Sequence, residues 1–185
     1  MARRSAYDAI VIGSGPNGLA AAIRLAQAGR SVLVFEAKDT IGGGCRSLEL
    51  TLPGFVHDMC SAIHPLGLNS PFFRTLPLAQ YGLEWVQPPL PLAHPLDDGS
   101  AVLLERSIDA TCATLDVDAD IYKRLMTTLV ADWPFIEQAF LGPLRLPPLL
   151  RHPFALGRFG LTALRSAQGL AQQFFKGERA RAIFT

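Results

Sequence analysis

The chain has 185 residues, of which 49% are hydrophobic, and a formal net charge of +1 at pH 7. This length and apolar content allow a sizeable buried core, in one domain or in two small ones. The near-neutral charge gives no electrostatic reason to expect a nucleic-acid partner.

The N-terminal region predicts a strand, a glycine-rich turn, a helix and a second strand. The first strand runs from Ala9 to Ile12, the helix from about Gly18 to Ala28, and the second strand from Val32 to Phe35. This order and these lengths are typical of a dinucleotide-binding βαβ unit in a Rossmann-like α/β fold.

The turn has the pattern GxGxxG, in which each glycine has a mechanical role. We expect Gly13 to allow the tight turn, Gly15 to let the backbone approach a pyrophosphate, and Gly18 to let the helix pack closely. Pro16 suits the first helical turn, where free amides and the positive end of the helix dipole attract phosphate. The predicted cofactor contacts here are Gly13, Ser14, Gly15, Pro16, Asn17 and Gly18.

An acidic residue ends the second strand. Glu36 lies 23 residues beyond Gly13, where a carboxylate can accept the hydroxyls of an adenosine ribose. The same charge repels a 2′-phosphate, so the motif favours FAD or NAD over NADP. We expect Glu36 and the adjoining Ala37 to contact the ribose end of the cofactor.

A second glycine-rich loop follows at Gly42-Gly43-Gly44-Cys45-Arg46-Ser47. We expect Gly43, Gly44, Cys45 and Arg46 to lie against the same cofactor and to bring an arginine towards its phosphates. A nicotinamide-binding Rossmann domain does not need this loop. The loop therefore favours FAD, and an NAD-dependent dehydrogenase is the less favoured hypothesis.

These motifs, with Gly54-Phe55 and Asp58, resemble the N-terminal FAD signature of the amine oxidase and phytoene desaturase superfamily. Later stretches are similar to phytoene-dehydrogenase-like oxidoreductases of the pyridine nucleotide-disulfide oxidoreductase domain-containing protein 2 group: Pro71 to Arg74, Tyr81 to Trp85 and Pro91 to Gly99. The resemblance covers essentially the whole chain and is most specific in its first 60 residues. It implies a flavoprotein whose FAD accepts a hydride from a C–H or C–N bond of a small apolar substrate.

Proteins of the resembled family are longer and contact the flavin again through a late Gly-Asp pair. No such pair follows here, so we expect an N-terminal fragment. The alternative to an oxidoreductase is then a catalytically silent fragment or regulatory module that keeps only a nucleotide pocket. No residue is assigned as catalytic, because a hydride can leave the substrate without a protein base.

The three cysteines, Cys45, Cys60 and Cys112, lack the close spacing of a redox dithiol. We interpret them as small, mostly buried residues of a reducing compartment, although Cys45 could approach the flavin. No Cys or His pair has metal-ligand spacing, so no metal is expected. The predicted location is cytoplasmic, because glycines and Arg24 interrupt any signal-like start.

Composition divides the chain into three predicted parts. Residues 1–60 begin the FAD domain, 61–106 form an extended segment, and 107–185 begin a helical substrate domain. Prolines exclude long helices between Leu48 and Leu104, apart from a short one near Pro71 to Gln80. The Asp97-Asp98-Gly99 turn predicts a hairpin between residues 91–96 and 101–105.

Helical periodicity begins after Ser107, a predicted N-cap. One helix is predicted from Asp118 or Ala119 to about Leu141, and Pro134 should kink it or begin a new one. Pro147-Pro148 breaks the chain before a second helical region. There we expect four inward-facing side chains: Phe154, Leu161, Leu164 and either Phe174 or Phe175.

Some charged or titratable residues have a functional and an ordinary interpretation. The four histidines, His57, His64, His94 and His152, are interpreted as turn or packing residues, and His64 is the best acid/base candidate among them. A basic helix face with Phe154 and Phe159 could contact acidic lipid, although solvated arginines are the ordinary explanation: Arg145, Arg151, Arg158 and Arg165. No uncharged apolar run reaches the roughly 18 residues of a spanning helix.

Overall fold

The computed structural model describes residues 6–142 and 151–185, which belong to two compact units. The first unit ends at Leu83, and the second runs from Glu84 to Thr185. The domain boundaries predicted after residues 60 and 106 stay predictions. Within the second unit, the hairpin of residues 92–104 packs against the last helix.

The first unit begins with the predicted βαβ arrangement. Its helices and strands are β1 (Ala9–Ile12), α1 (Pro16–Gln27), β2 (Val32–Phe35), β3 (Ser47–Glu49), β4 (Val56–Asp58) and α2 (Pro65–Asn69). β1 and β2 pair in parallel with Ile12 opposite Phe35, and β3 and β4 form an antiparallel pair. The predicted βαβ unit is therefore confirmed.

The proline-rich end of this unit differs from the sequence prediction. The short helix expected near Pro71 to Gln80 is instead two 3₁₀ turns, Phe73–Thr75 and Leu78–Tyr81. Pro77 lies between them and has no backbone N–H to continue a helical hydrogen-bond ladder.

The parallel pair β1–β2 has one face against α1. A Cβ added at Gly18 of α1 would lie 3.5 Å from Cγ1 of Val11, so Val11 faces the helix. Side chains alternate along a strand, and Ile10 and Ile12 accordingly point the other way. Both are exposed, Ile12 at 87%.

The second unit contains a hairpin and five helices among its described residues. They are β5 (Leu92–Pro95), β6 (Ala101–Leu104), α3 (Ile108–Cys112), α4 (Ala119–Phe140), α5 (Pro153–Ala163), α6 (Ala167–Phe174) and α7 (Glu178–Phe184). The predicted hairpin is confirmed, with Gly99 at a φ of 80° in its turn. Ser107 caps α3 as predicted, since its hydroxyl accepts a hydrogen bond from the Ala110 N–H.

An apolar core holds the second unit together. Val102 of β6, Tyr122 of α4 and Phe175 after α6 are each at most 2% exposed. The Phe175 ring lies against Tyr122 and Phe184, with centroid separations of 6.3 and 5.3 Å. Aromatic rings in such tilted and edge-on arrangements add to the stabilisation from burial alone.

Helix α5 turns a different face inward than predicted. Phe154, Leu161 and Leu164 are 88%, 75% and 88% exposed, whereas Ala155 and Leu156 are buried. The prediction was wrong because this helix has apolar residues on several sides, so periodicity alone does not identify the packed face. The contact with acidic lipid stays a prediction. Arg145 and Pro147-Pro148 lie outside the described residues.

Two further expectations concern the helices. α4 matches its predicted bounds, and Pro134 lies inside it, so the prediction that Pro134 begins a new helix is wrong. Phe175 is the inward residue of the pair Phe174 and Phe175, at 1% exposure.

Candidate functional site

Ser14 and Glu36 connect the glycine turn after β1 to the end of β2. The Ser14 N–H and hydroxyl both donate to Glu36 Oε2, at 2.8 and 2.5 Å. Ser14 is 1% exposed, so its hydroxyl is directed into this contact. The two strands end side by side in a parallel pair, which places a turn residue and a carboxylate 22 positions later at the same sheet edge.

These hydrogen bonds stabilise the ionised carboxylate. The Ser14 hydroxyl, then the Ser14 N–H and the Lys38 N–H, lower the pKa of Glu36 from its ordinary 4.5 to about 2. Glu36 therefore carries a full negative charge at neutral pH. The predicted repulsion of a 2′-phosphate requires this charge.

The first and third glycines of the turn have separate structural reasons to lack a side chain. Gly13 has a φ of 93°, a left-handed conformation that L side chains rarely adopt. A Cβ at Gly18 would overlap the Gly13 carbonyl oxygen, because α1 packs directly on the turn. The mechanical roles predicted for both glycines match this geometry.

The second glycine loop lies directly on the first. A Cβ at Gly43 would lie 2.9 Å from the Gly15 Cα, and Gly43 itself has a φ of 58°. The Gly42 N–H donates to the Ser14 carbonyl oxygen at 3.1 Å. Ser14 is thus bonded to both the end of β2 and the second loop, and two backbones approach with no side chain between them.

Arg46 is held against its own loop. Its Nε–H donates to the Gly43 carbonyl oxygen at 2.9 Å, and its Nη2 lies 3.7 Å from Sδ of Met59. The arginine therefore lies close to the paired glycine loops, while its expected contact with cofactor phosphates stays a prediction.

The other predicted site residues surround these contacts. Helix α1 starts with Gly15 as its N-cap and Pro16 in its first turn, and that turn contains no acidic residue. Pro16, Asn17 and Ala37 are exposed, and Gly44 lies in the 3₁₀ turn Gly43–Cys45. The predicted set is therefore brought together, while its contact with a cofactor stays a prediction.

The cysteines differ from their predicted burial. Cys112 is buried, but Cys45 and Cys60 are exposed, and a Cβ at Gly44 would lie 3.6 Å from the Cys60 Cβ. The separation of 15 residues along the chain gave no sign that Cys60 lies near the second glycine loop. The hairpin β3–β4 brings Cys60 back to the loop.

Two of the four histidines lie beside hydroxyl groups. His64 Nδ1 lies 3.4 Å from the Ser61 hydroxyl, and His57 Nε2 lies 2.7 Å from the Thr51 hydroxyl. Within residues 6–142 and 151–185, no group of three His, Cys, Asp or Glu side chains is arranged to hold a metal ion.

No helix in the described part of the chain is long and apolar enough to cross a membrane. The predicted cytoplasmic location stays a prediction.

Known proteins are similar in sequence to the part of the chain that contains the two glycine loops. A family profile described as an NAD(P)-binding Rossmann-like domain matches residues 11–76. Pyridine nucleotide-disulfide oxidoreductase domain-containing protein 2 of Mus musculus is 36% identical over 103 residues, covering 55% of this chain. The alignment covers 17% of the mouse protein, so the chain matches only a small part of that relative.

Two further relatives are named for other activities. The soluble pyridine nucleotide transhydrogenase of Vibrio parahaemolyticus is 51% identical over 45 residues, which is 24% of this chain and 10% of that protein. Thiamine thiazole synthase of Aeropyrum pernix is 31% identical over 139 residues, which is 70% of this chain and 45% of that protein. The chain therefore contains a Rossmann-like domain of the NAD(P)-binding type and is similar over part of its length to pyridine nucleotide-disulfide oxidoreductase domain-containing protein 2.

Proposed function

We propose that this Rossmann-like domain binds FAD and serves an oxidoreductase that removes a hydride from a small apolar substrate. The observation that carries the proposal is the approach of Gly43 to Gly15, where an added Cβ would lie 2.9 Å from the neighbouring backbone. A dinucleotide pyrophosphate needs backbone amides that it can approach without side chains in the way. Two glycine loops in contact provide such a surface.

The residues present fit this cofactor. The N-terminal amides of α1, preceded by Gly13 and Gly15, would hold the pyrophosphate with the help of the helix dipole. Glu36 and Ala37 would lie at the ribose. Gly43, Gly44, Cys45 and Arg46 would contact the cofactor from the second loop, and Arg46 adds a positive charge close to the phosphates.

Hydrogen bonds fix the orientation in which the Glu36 carboxylate would meet the ribose. Oε2 is engaged by Ser14, and Oε1 accepts from the Lys38 N–H at 3.0 Å. A carboxylate oxygen has two lone pairs, so Oε1 is the oxygen with room for a ribose hydroxyl. Ser14 thus orients the carboxylate before any nucleotide binds.

Bound FAD would supply the hydride acceptor, and the protein would supply placement and polarity. In this proposal, the charge of Glu36 repels a 2′-phosphate, and the glycine loops set the position of the cofactor phosphates. No side chain is assigned as a base. The phytoene-dehydrogenase-like placement of this chain is part of the same proposal.

A nucleotide-binding module without catalysis is the second candidate. The family profile matches residues 11–76 only, and the motifs in that range account for nucleotide binding and for nothing further. An NAD-binding dehydrogenase is the third candidate, and the second glycine loop disfavours it.

The test is to purify the 185-residue chain and record its visible spectrum, followed by fluorescence titrations with FAD, NAD and NADP. We expect bound flavin, and bleaching when a substrate donates a hydride. Flavin without bleaching by any apolar amine or polyene would support the second candidate. NAD binding without flavin binding would overturn the proposal in favour of the third.

Two glycine substitutions make the test specific to the loop contact. Gly43→Ala should abolish FAD binding, since it adds a Cβ at a positive φ and against the Gly15 backbone. Gly157→Ala is the matched control, because its Cβ would meet no atom within 4 Å. Equal FAD affinity in both variants would contradict the proposed role of the loops.

A further inference from the structure

The hairpin β3–β4 brings Cys60 back to the second glycine loop, which contains Cys45. Its register pairs Ser47 with Asp58 and Glu49 with Val56. The Met59 N–H donates to the Arg46 carbonyl oxygen at 2.9 Å, which extends the pairing by one step beyond β3. Cys45 and Cys60 are the next residues of the chain beyond this bonded pair, one on each segment.

The local geometry suits a covalent link. Paired residues of antiparallel strands have Cα atoms about 4.5–5.5 Å apart, and Cys45 and Cys60 each adjoin a hydrogen-bonded residue of the pair Arg46 and Met59. Disulfides span Cα separations of about 4.4–6.8 Å. The regular ladder ends at the turn Gly43–Cys45, yet Cys60 still faces that turn, since its Cβ would lie 3.6 Å from one at Gly44.

Both thiols are accessible, because Cys45 and Cys60 are exposed. We propose that Cys45 and Cys60 form an oxidisable dithiol that closes to a disulfide when the chain meets a peroxide. Cys45 belongs to the loop proposed to contact FAD, but the pairing with Cys60 rests on the hairpin contacts and does not depend on which nucleotide the chain takes.

The chemistry balances with hydrogen peroxide as the oxidant. One cysteine sulfur attacks a peroxide oxygen, which forms a sulfenic acid and releases water. The second sulfur then attacks the first, the S–S bond forms, and the hydroxyl leaves as a second water. The two cysteines lose two electrons in total, and the peroxide gains them.

The disulfide would join the loop to the hairpin. The loop residues Gly42 and Gly43 contact Ser14 and Gly15, so the bond would restrict the segment that lies on the first glycine turn. A reducing thiol such as dithiothreitol would cleave the disulfide and remove the restriction. The oxidation state of the pair would then set how freely the second loop moves.

Trypsin gives a direct test, because Arg46 lies between the two cysteines. Cleavage after Lys38, Arg46 and Arg74 puts them in separate peptides, 39–46 and 47–74. The folded, reduced chain is treated with hydrogen peroxide, quenched with N-ethylmaleimide, digested and analysed by mass spectrometry. We expect the two peptides joined, with the mass lowered by the two thiol hydrogens, and their separation after dithiothreitol.

Controls locate the bond. Cys45→Ser and Cys60→Ser should each abolish the joined peptide, whereas Cys112→Ser should keep it. A Gly44→Cys variant in the Cys45→Ser background is a positive control, because the Cβ separation of 3.6 Å lies in the disulfide range of about 3.5–4.5 Å.

Three results would overturn the proposal. The first is the absence of the joined peptide while either cysteine becomes a sulfinic or sulfonic acid. The second is a joined peptide found only in a covalent dimer on a non-reducing gel. The third is a joined peptide formed in urea but not in the folded chain, since the pairing would then owe nothing to the hairpin.

Discussion

The Ser14 hydroxyl donates to Glu36 Oε2 at 2.5 Å, so a residue of the glycine turn holds the carboxylate at the end of the neighbouring strand. The Ser14 N–H donates to the same oxygen. The turn and the acidic residue are usually considered as two separate contacts for a nucleotide. In this chain they form one unit before any ligand is present.

Replacing Ser14 with alanine should raise the pKa of Glu36 from about 2 towards 4.5, because the hydroxyl is the largest cause of its depression. The rise should be partial, since the N–H of residue 14 remains as a donor. Carboxyl chemical shifts followed by NMR between pH 2 and 6 would measure it. Ser61→Ala is the control, and an unchanged Glu36 titration in Ser14→Ala would contradict the assignment.

The stability of the chain should depend on pH through the same carboxylate. The pKa of Glu36 is lower in the folded chain than its ordinary value of 4.5, so the unfolded state takes up the proton first as pH falls. The stabilisation is fully present above about pH 4.5 and is lost as the pH falls towards 2. Urea unfolding of the wild type and Glu36→Gln should therefore converge over this interval. A difference in unfolding free energy between the two proteins that stays constant over this pH interval would contradict the prediction.

Gly18→Ala should destabilise the first unit by about 1–3 kcal/mol or more, as expected for overpacking. The added Cβ would overlap the Gly13 carbonyl oxygen, which belongs to the backbone and has little freedom to move. Thermal or urea unfolding would measure the loss. Gly157→Ala in α5 should be neutral or slightly stabilising, because its Cβ meets open space. Similar losses in both variants would show that the close packing of α1 is not responsible.

Removing the Glu36 carboxylate should weaken FAD binding if the proposed function holds. A hydrogen bond to a charged group contributes about 1.5–3 kcal/mol, so Glu36→Ala should lower the affinity at least tenfold. Discrimination against a 2′-phosphate should fall at the same time. Flavin fluorescence titration would measure the first effect and an NADP titration the second. Glu49→Ala, an exposed residue of β3, is the control and should bind like the wild type.

Asp118 should stabilise the second unit through hydrogen bonds to the backbone of the C-terminal segment. Its buried carboxylate accepts hydrogen bonds from the Lys176 and Gly177 N–H groups, at 3.0 and 2.6 Å for Oδ2. Asp118→Ala leaves these two partly buried donors without that partner, at a total cost of about 1–3 kcal/mol. Urea unfolding should show the loss, whereas Asp97→Ala at the exposed hairpin turn should show almost none. Equal midpoints would contradict the role of Asp118 as the anchor of the C-terminal segment.

The predictions that held concern segments in which local sequence decides the structure. Gly13, with its positive φ, and the Asp97-Asp98-Gly99 turn are recognisable because few residues adopt those backbone conformations. Ser107 was recognisable as an N-cap for a similar local reason, since its hydroxyl replaces a missing helical partner.

The predictions that failed depend on which segments of the chain a helix packs against. The apolar pattern of α5 did not show that Leu156 would pack inside while Phe154 and Leu164 stayed exposed. Pro134 was expected to kink α4 or to begin a new helix, and α4 continues through it without a new helix starting there. Both outcomes depend on which surface each helix contacts, and that information lies in other segments.

By itself, the amino-acid sequence determined the βαβ unit and the identity of its glycines and acidic residue, because steric limits on the backbone act within a few residues. The tertiary structure alone decided that Ser14 holds Glu36, that Gly43 lies on Gly15, and that Cys60 returns to the loop of Cys45. These contacts join residues 15 to 28 positions apart. They arise only when strand pairing and loop packing bring distant segments together, because hydrogen-bond register is a property of two strands together.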